Sequence, residues 1–292
     1  MIAALLAAAA MWQSDPPLPV PRSEVAGAQW RGYVAVAGGF LADGESSGRV
    51  DLYNSRVEQW ERLPDLPIAV NHAMAAAGGA RLYVLGGYGR TGARRDVFVY
   101  DGPRWHRLPP MPFPRAAGGA AFIDNIVYVV GGIGRSGLAR SMLAYDVRRK
   151  RWRTLPAPRP LREHLGVTAL QGRLYVVGGR ANGRQFATVE RWLPRRHRWL
   201  LLPPLPEPRG GTAAGSAYGL VISAGAESAA GTSAAVYAYS PRSNRWRRLP
   251  DLPTPRHGLA VVGEGATIHV VGGGPQPGLS VSAANESLLL TD

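Results

Sequence analysis

Five arginines stand at equivalent places along the chain. Arg22, Arg115, Arg162 and Arg256 each lie 16 residues ahead of a glycine pair, and Arg209 lies 15 ahead of an imperfect one, Ala224-Gly225. A sixth unit has Val70 there, followed by Asn71-His72. A guanidinium presents its donors as a rigid planar fork that matches a carboxylate or a phosphate, so a ring of them suits an anionic ligand. The same pattern also has a structural reading, with each arginine bonded to carbonyls of a neighbouring unit. Two residues beyond the arginine place lie Glu24, His72 and His164, groups suited to acid–base and hydrogen-bonding roles near neutral pH. Just past the glycine pairs stand Phe40, Tyr88, Ile133, Arg180, Ala226 and Gly274. The expected ligand contacts are Arg22, Arg115, Arg162, Arg209, Arg256, Phe40, Tyr88, Arg180, His72, His164 and Glu24.

Other chemistry has little support. The six histidines, at 72, 106, 164, 197, 257 and 269, show no close ligand spacing, so no metal and no cofactor is expected. His72, His164 and His257 could meet only through the fold. Asp51, Asp96 and Glu190 fall in predicted strands and read as structural, and no catalytic residue is assigned. The chain has no Cys, which excludes disulfides, cysteine-based zinc sites and thiol nucleophiles.

The formal charge is +14, and Lys150 is the sole lysine. So strong a preference for arginine over lysine reads as genomic composition, which weakens any step from charge to nucleic acid. Basic stretches at Arg148–Arg151, Arg195–Arg198 and Arg242–Arg248 sit in predicted hairpin tips, where charge is ordinarily solvated. They leave open a polyanion-binding rim, with nucleic acid not expected because the interleaved Trp residues read as core.

These groups are positioned by a repeat. Glycine pairs recur at Gly38-Gly39, Gly86-Gly87, Gly131-Gly132, Gly178-Gly179 and Gly272-Gly273, with the worn copy at Ala224-Gly225, in steps of 48, 45, 47, 46 and 48. Trp12, Trp60, Trp105, Trp152, Trp199 and Trp246 recur in steps of 48, 45, 47, 47 and 47. Two markers sharing one period define a repeat architecture. A β-branched and aromatic run precedes each glycine pair (Tyr33 to Ala37, Val127 to Val130), a third strand follows a Gly-rich loop, and the Trp strand comes next. A Pro-rich connector such as Leu63-Pro64-Asp65-Leu66-Pro67 ends the unit, because proline cannot donate within a ladder. The fifth unit departs from the pattern, with Ala224 in place of glycine and one residue missing upstream.

This grammar resembles the kelch repeat, on the glycine pair, the aromatic and Trp of the third-to-fourth-strand hairpin (Tyr53 and Trp60, Tyr145 and Trp152, Trp192 and Trp199) and the Leu-Pro-x-x-Pro-Arg connector. The resemblance implies an all-β fold, a six-bladed β-propeller with four antiparallel strands per blade. One domain is expected over 11–292, with blades at 22–66, 67–111, 112–158, 159–205, 206–252 and 253–292 plus 11–18. The last unit lacks a Trp strand and the N-terminus has a surplus one, so the two ends should complete one blade. The connectors and post-glycine loops then share one face, and the basic hairpins the other.

Relatives of this kind that bind peptides do so on the connector face. The resemblance therefore implies a ligand- or protein-binding module, with an unknown protein or an anionic small molecule as partner and an Arg-lined channel mouth as the site. One alternative is a sugar mutarotase or epimerase, which would need His164, His72 or Glu24 converging on one cavity. The other is polyanion binding by the basic rim. Copper radical oxidases use similar propellers, but their crosslinked tyrosine needs a Cys, which this chain lacks. A monomer is expected. Residues 1–10 are wholly apolar and lack a basic start. They read either as the end of a secretory signal with an Ala-x-Ala site, implying a periplasmic or secreted protein, or as a frayed strand extension of a cytoplasmic one. They are too short to span a bilayer.

Overall fold

The structure is a computed structural model, and residues 11–291 are described; the apolar segment 1–10, with its signal reading, lies outside them. Six four-stranded antiparallel sheets follow one another around an axis. The first blade runs Ala26–Trp30, Tyr33–Ala37, Val50–Asn54 and Gln59–Leu63, from the axis outward, and the next four repeat this order. The sixth takes three strands from the C-terminal end (Ala260–Glu264, Thr267–Val271, Asn285–Leu289) and its outermost from Gln13–Ser14, paired Gln13 to Ser287 and Ser14 to Glu286. This is the closure expected from the unmatched ends. Among the described residues the only helical turn is Pro194–Arg196, and none of them forms a helix long and apolar enough to cross a membrane.

Blade stacking creates the core. Six clusters of buried apolar side chains lie one at each blade interface, such as Leu52 and Val50 of blade one against Val84 and Leu82 of blade two. A blade buries both faces only by having two neighbours, which is why the ring must close. The innermost strands are rich in Ala and Gly, as in Met74–Gly78 and Ala213–Ala217, so that six of them fit around the axis. Around a cavity of about 280 Å³ their side chains form the wall of the channel.

The Trp period has a polar counterpart. Each outer-strand Trp donates its indole N–H to a proline carbonyl of the preceding blade's outer edge or connector: Trp12 to Pro250, Trp60 to Pro16, Trp105 to Pro64, Trp152 to Pro109, Trp199 to Pro156 and Trp246 to Pro203, all at 2.7–2.9 Å. Five of the rings also tilt against a third-strand aromatic, as Trp152 does on Tyr145 with centroids 5.0 Å apart. Trp is thus an interblade fastening: the six rings are half-buried and pack against the core clusters from outside rather than lying within them, as their reading as core implied.

The glycine pair is where two connectors press on the second strand. A Cβ on Gly86 would lie 2.2 Å from the Arg115 carbonyl oxygen of the next blade, and one on Gly132 2.4 Å from the Ala116 oxygen of its own. Both also have positive φ. This contact corrects the register of blade five. Strand Leu220–Ala224 is complete, and Gly225 meets Arg256 O as Gly86 meets Arg115 O. The pair is therefore Gly225-Ala226, 16 residues after Arg209, with no residue missing. The residue after the pair is Glu227, not Ala226. Substitution of the second glycine leaves a small trace: Ala226 N donates to Arg256 O at 3.2 Å, against 2.8–3.0 Å in the other five blades.

Candidate functional site

The five arginines do not line the channel mouth. Arg22, Arg162, Arg209 and Arg256 are at most 1% exposed and Arg115 is 3% exposed. Each points into its own blade. Arg162 donates Nε to Gly178 O at 2.6 Å and Nη1 to Glu190 at 2.8 Å. Arg256 binds Gly272 O, Val270 O and Glu286 in the same way, and Arg22 binds Gly38 O, Arg49 O and Asp51. Arg209 reaches Ala235 O and Glu207, and Arg115 reaches Ser141 O. Burial lowers the pKa of all five, and third-strand carboxylates offset this for Arg22, Arg162 and Arg256. The physical reason is satisfaction of acceptors: the carbonyls of a turn inside the protein need donors, and a guanidinium supplies several at once. In blade two Val70 fills the place, and Asp96 pairs instead with Arg94 and Arg107.

The mouth is formed by the residues two places further on. In all six blades these have positive φ: Glu24 (51°), His72 (51°), Ala117 (54°), His164 (49°), Gly211 (69°) and Gly258 (59°). The left-handed turn aims each backbone N–H along the ring. His72 N donates to Glu24 O, Ala117 N to His72 O, His164 N to Ala117 O, Gly211 N to His164 O and Gly258 N to Gly211 O, at 2.8–3.2 Å. Val25 N closes the circle on Gly258 O at 3.3 Å. Six blades thus share one ring of backbone hydrogen bonds that narrows the channel. Glycine adopts this conformation without steric penalty, whereas a non-glycine residue is held there by its surroundings.

Three of the six carry functional side chains, and these converge. His72 Nε2 lies 3.0 Å from His164 Nε2 and 3.3 Å from Glu24 Oε2, which is 3.9 Å from His164 Nε2. The histidines show no ligand spacing along the chain, yet the fold brings one ligand atom from each of Glu24, His72 and His164 within 4.8 Å of one another. They line a cavity of about 90 Å³ with Gly211, Gly258 and Ala117 opposite.

A second tier surrounds them. His257 Nδ1 faces Glu24 Oε1 at 3.3 Å and Glu227 Oε2 at 3.4 Å. Arg180 joins Glu163 at 3.0 Å to Glu227, and Glu163 Oε2 abuts His164 Nδ1. Phe40 and Tyr88 set their rings edge-on to His72, with centroids 5.5 and 5.4 Å away. Glu24, His72, His164, Phe40, Tyr88 and Arg180 therefore lie in one constellation. Glu163 and Glu227 were missed. The first stands between two residues already singled out; the second was hidden by the one-residue register error in blade five.

Charge in the cluster is strongly coupled. Burial favours a neutral Glu24, but His72, His164 and His257 outweigh it and hold the carboxyl well below the usual range. Burial lowers His164 to about 4 and lowers His72 as well, with Glu24 opposing in both. For His257, burial also disfavours the charge, yet Glu24 and Glu227 raise it overall.

Outside the mouth, a groove of about 770 Å³ runs between blades two and three on the same face, lined by Tyr88, Phe113, Arg95 and Arg135 among others. The opposite face carries the hairpins, with a cavity of about 500 Å³ bordered by Arg173, Arg191, Arg195 and Arg196. His106 and His197 lie on that face and are exposed or near it, while His269 is buried within its strand.

Residues 71–273 match the family model described as the KLHDC2/KLHL20/DRC7 Kelch-repeats domain. A comparison with curated proteins gave no match.

Proposed function

Because the chain belongs to the kelch-repeat family, whose propellers typically bind proteins, we propose that it is a binding module that holds an acidic segment of a partner on the connector face. The observation that carries this reading is the groove between blades two and three. Its volume, about 770 Å³, falls in the range of ligand-accepting clefts, roughly 300–1,000 Å³. Arg95 and Arg135 are exposed at its rim, and Phe113 is 49% exposed. Aromatic and arginine side chains together are the residue types enriched where proteins are recognised. On this reading the preference for acidic segments rests on exposed arginines rather than on the five buried ones. The sugar-enzyme alternative required Glu24, His72 and His164 to converge on a cavity. They do converge, but about 90 Å³ is well under a substrate pocket.

The test is a display library of random 12-residue peptides panned on the intact protein at moderate salt. Enrichment of acidic sequences with an apolar anchor is expected, with affinity falling at least tenfold in an Arg95→Glu/Arg135→Glu variant that melts like wild type. Recovery of basic or uncharged sequences, or equal binding by the variant, would refute the reading.

A further inference from the structure

We propose that Glu24, His72 and His164 form a binding site for a divalent transition-metal ion of the zinc class, on the propeller axis at the channel mouth. The inference is independent of partner binding and rests on which atoms face one another.

The amide of Asn71 donates Nδ2 to Ser46 Oγ at 2.8 Å, which turns its Oδ1 toward His72 Nδ1 at 2.6 Å. His72 therefore carries its proton on Nδ1 and presents a lone pair at Nε2. His164 Nδ1 abuts the carboxylate of Glu163, whose other oxygen is held by Arg180. The anionic oxygen beside Nδ1 disfavours a lone pair there without being hydrogen-bonded to it, so the tautomer with its lone pair on Nε2 is favoured for His164. The two lone pairs are 3.0 Å apart, and the third group beside them, Glu24 Oε2, is an acceptor as well. Three acceptors meet with no donor among them. A cation placed between them removes the conflict.

The composition and spacing fit such an ion. Two imidazole nitrogens and one carboxylate oxygen form a ligand set for zinc and its neighbours in the first transition row. Ligand atoms of a tetrahedral centre with bonds of roughly 2.0–2.2 Å stand about 3.3–3.6 Å apart. The observed separations are 3.0, 3.3 and 3.9 Å. Each ligand also has a polar group behind it: His72 is hydrogen-bonded to Asn71, while His164 lies against Glu163 and the other oxygen of Glu24 faces His257 at 3.3 Å. Outer partners of this kind set tautomer and aim in metal sites. Ala117, Gly211 and Gly258 complete the ring with short side chains or none, which leaves about 90 Å³ beside the ligands. At about 30 Å³ per water that space takes roughly three waters, so the fourth coordination position stays open to an exogenous oxygen or nitrogen ligand.

The experiment uses the whole chain, free of any affinity tag and stripped with a chelator. Titration calorimetry with Zn²⁺ should give one ion per chain, and Co²⁺ should give the intense visible bands of a four-coordinate centre. His72→Ala/His164→Ala should lower affinity at least 100-fold. Asn71→Ala, which touches no ion and acts by position, should lower it about 10-fold. His197→Ala on the opposite face should leave it unchanged. Thermal unfolding in chelator checks that each variant is folded. Should the double variant not fold, the Co²⁺ spectrum of the wild type decides alone. No saturable uptake by the wild type, a six-coordinate Co²⁺ spectrum, or equal uptake by a folded double variant would each overturn the site.

Discussion

The two faces of the ring use the same side chain to opposite ends. On the connector face, Arg22, Arg162, Arg209 and Arg256 are buried, and their guanidiniums complete the hydrogen bonding of turns that water cannot reach. On the hairpin face, arginines such as Arg149, Arg196 and Arg245 are exposed, and the ion pairs there, for example Arg149 with Asp146, link neighbours in sequence. A buried guanidinium cannot be removed without orphaning its partners, whereas an exposed one is exchanged for water at little cost. Residue type alone does not distinguish these roles; depth does.

Four perturbations sharpen that contrast. The largest concerns ring closure. Deleting residues 1–18 removes the strand that pairs with Asn285–Leu289, the Trp12 bond to Pro250 and the buried Leu18. A fall in melting temperature of at least about 10 °C is expected by calorimetry, since roughly 2–4 °C accompany each kcal/mol in a domain approaching this size. Unchanged melting would mean that the ring does not depend on its clasp. Next, Arg162→Ala leaves Glu190 buried opposite no cation and should cost about 3–5 kcal/mol in urea unfolding. Arg196→Ala, measured alongside, should stay within about 0.5 kcal/mol. Comparable losses would erase the distinction between faces. A smaller effect is expected of Trp152→Phe, which keeps the aromatic contact with Tyr145 but leaves Pro109 O without its indole donor, at about 0.5–1.5 kcal/mol. Smallest for stability is Arg195→Ser/Arg196→Ser, whose effect should appear in heparin chromatography as earlier elution along a salt gradient. Identical elution would show that the hairpin face contributes nothing to polyanion contact.

The architecture was legible because its markers are local. A strand, its glycine pair and its Trp lie within one unit, and repetition makes the pair visible five times and the Trp six. The error in blade five arose because Ala224-Gly225 imitates the pair one residue early. Only the approach of Arg256 O to Gly225 identifies the true pair. The roles of the arginines were not legible, since a connector residue can turn toward the axis or into the blade, and the choice depends on acceptors such as Gly178 O and Glu190, more than 15 residues away. Glu24, His72 and His164 were singled out as members of a face, but nothing in their spacing announced that their ligand atoms would meet.

By itself the sequence determined a closed ring of six antiparallel blades, because repeat period, strand composition and the unmatched end strands admit one simple arrangement. Only the tertiary structure decided what occupies the axis. Residues 24, 72 and 164 come from three separate blades, and their meeting depends on the blade rotation, the left-handed turns of the backbone ring at the mouth and the small residues at 117, 211 and 258 that leave room for them. Contacts made across a symmetry axis sum contributions from distant segments, and no local pattern in the chain encodes such a sum.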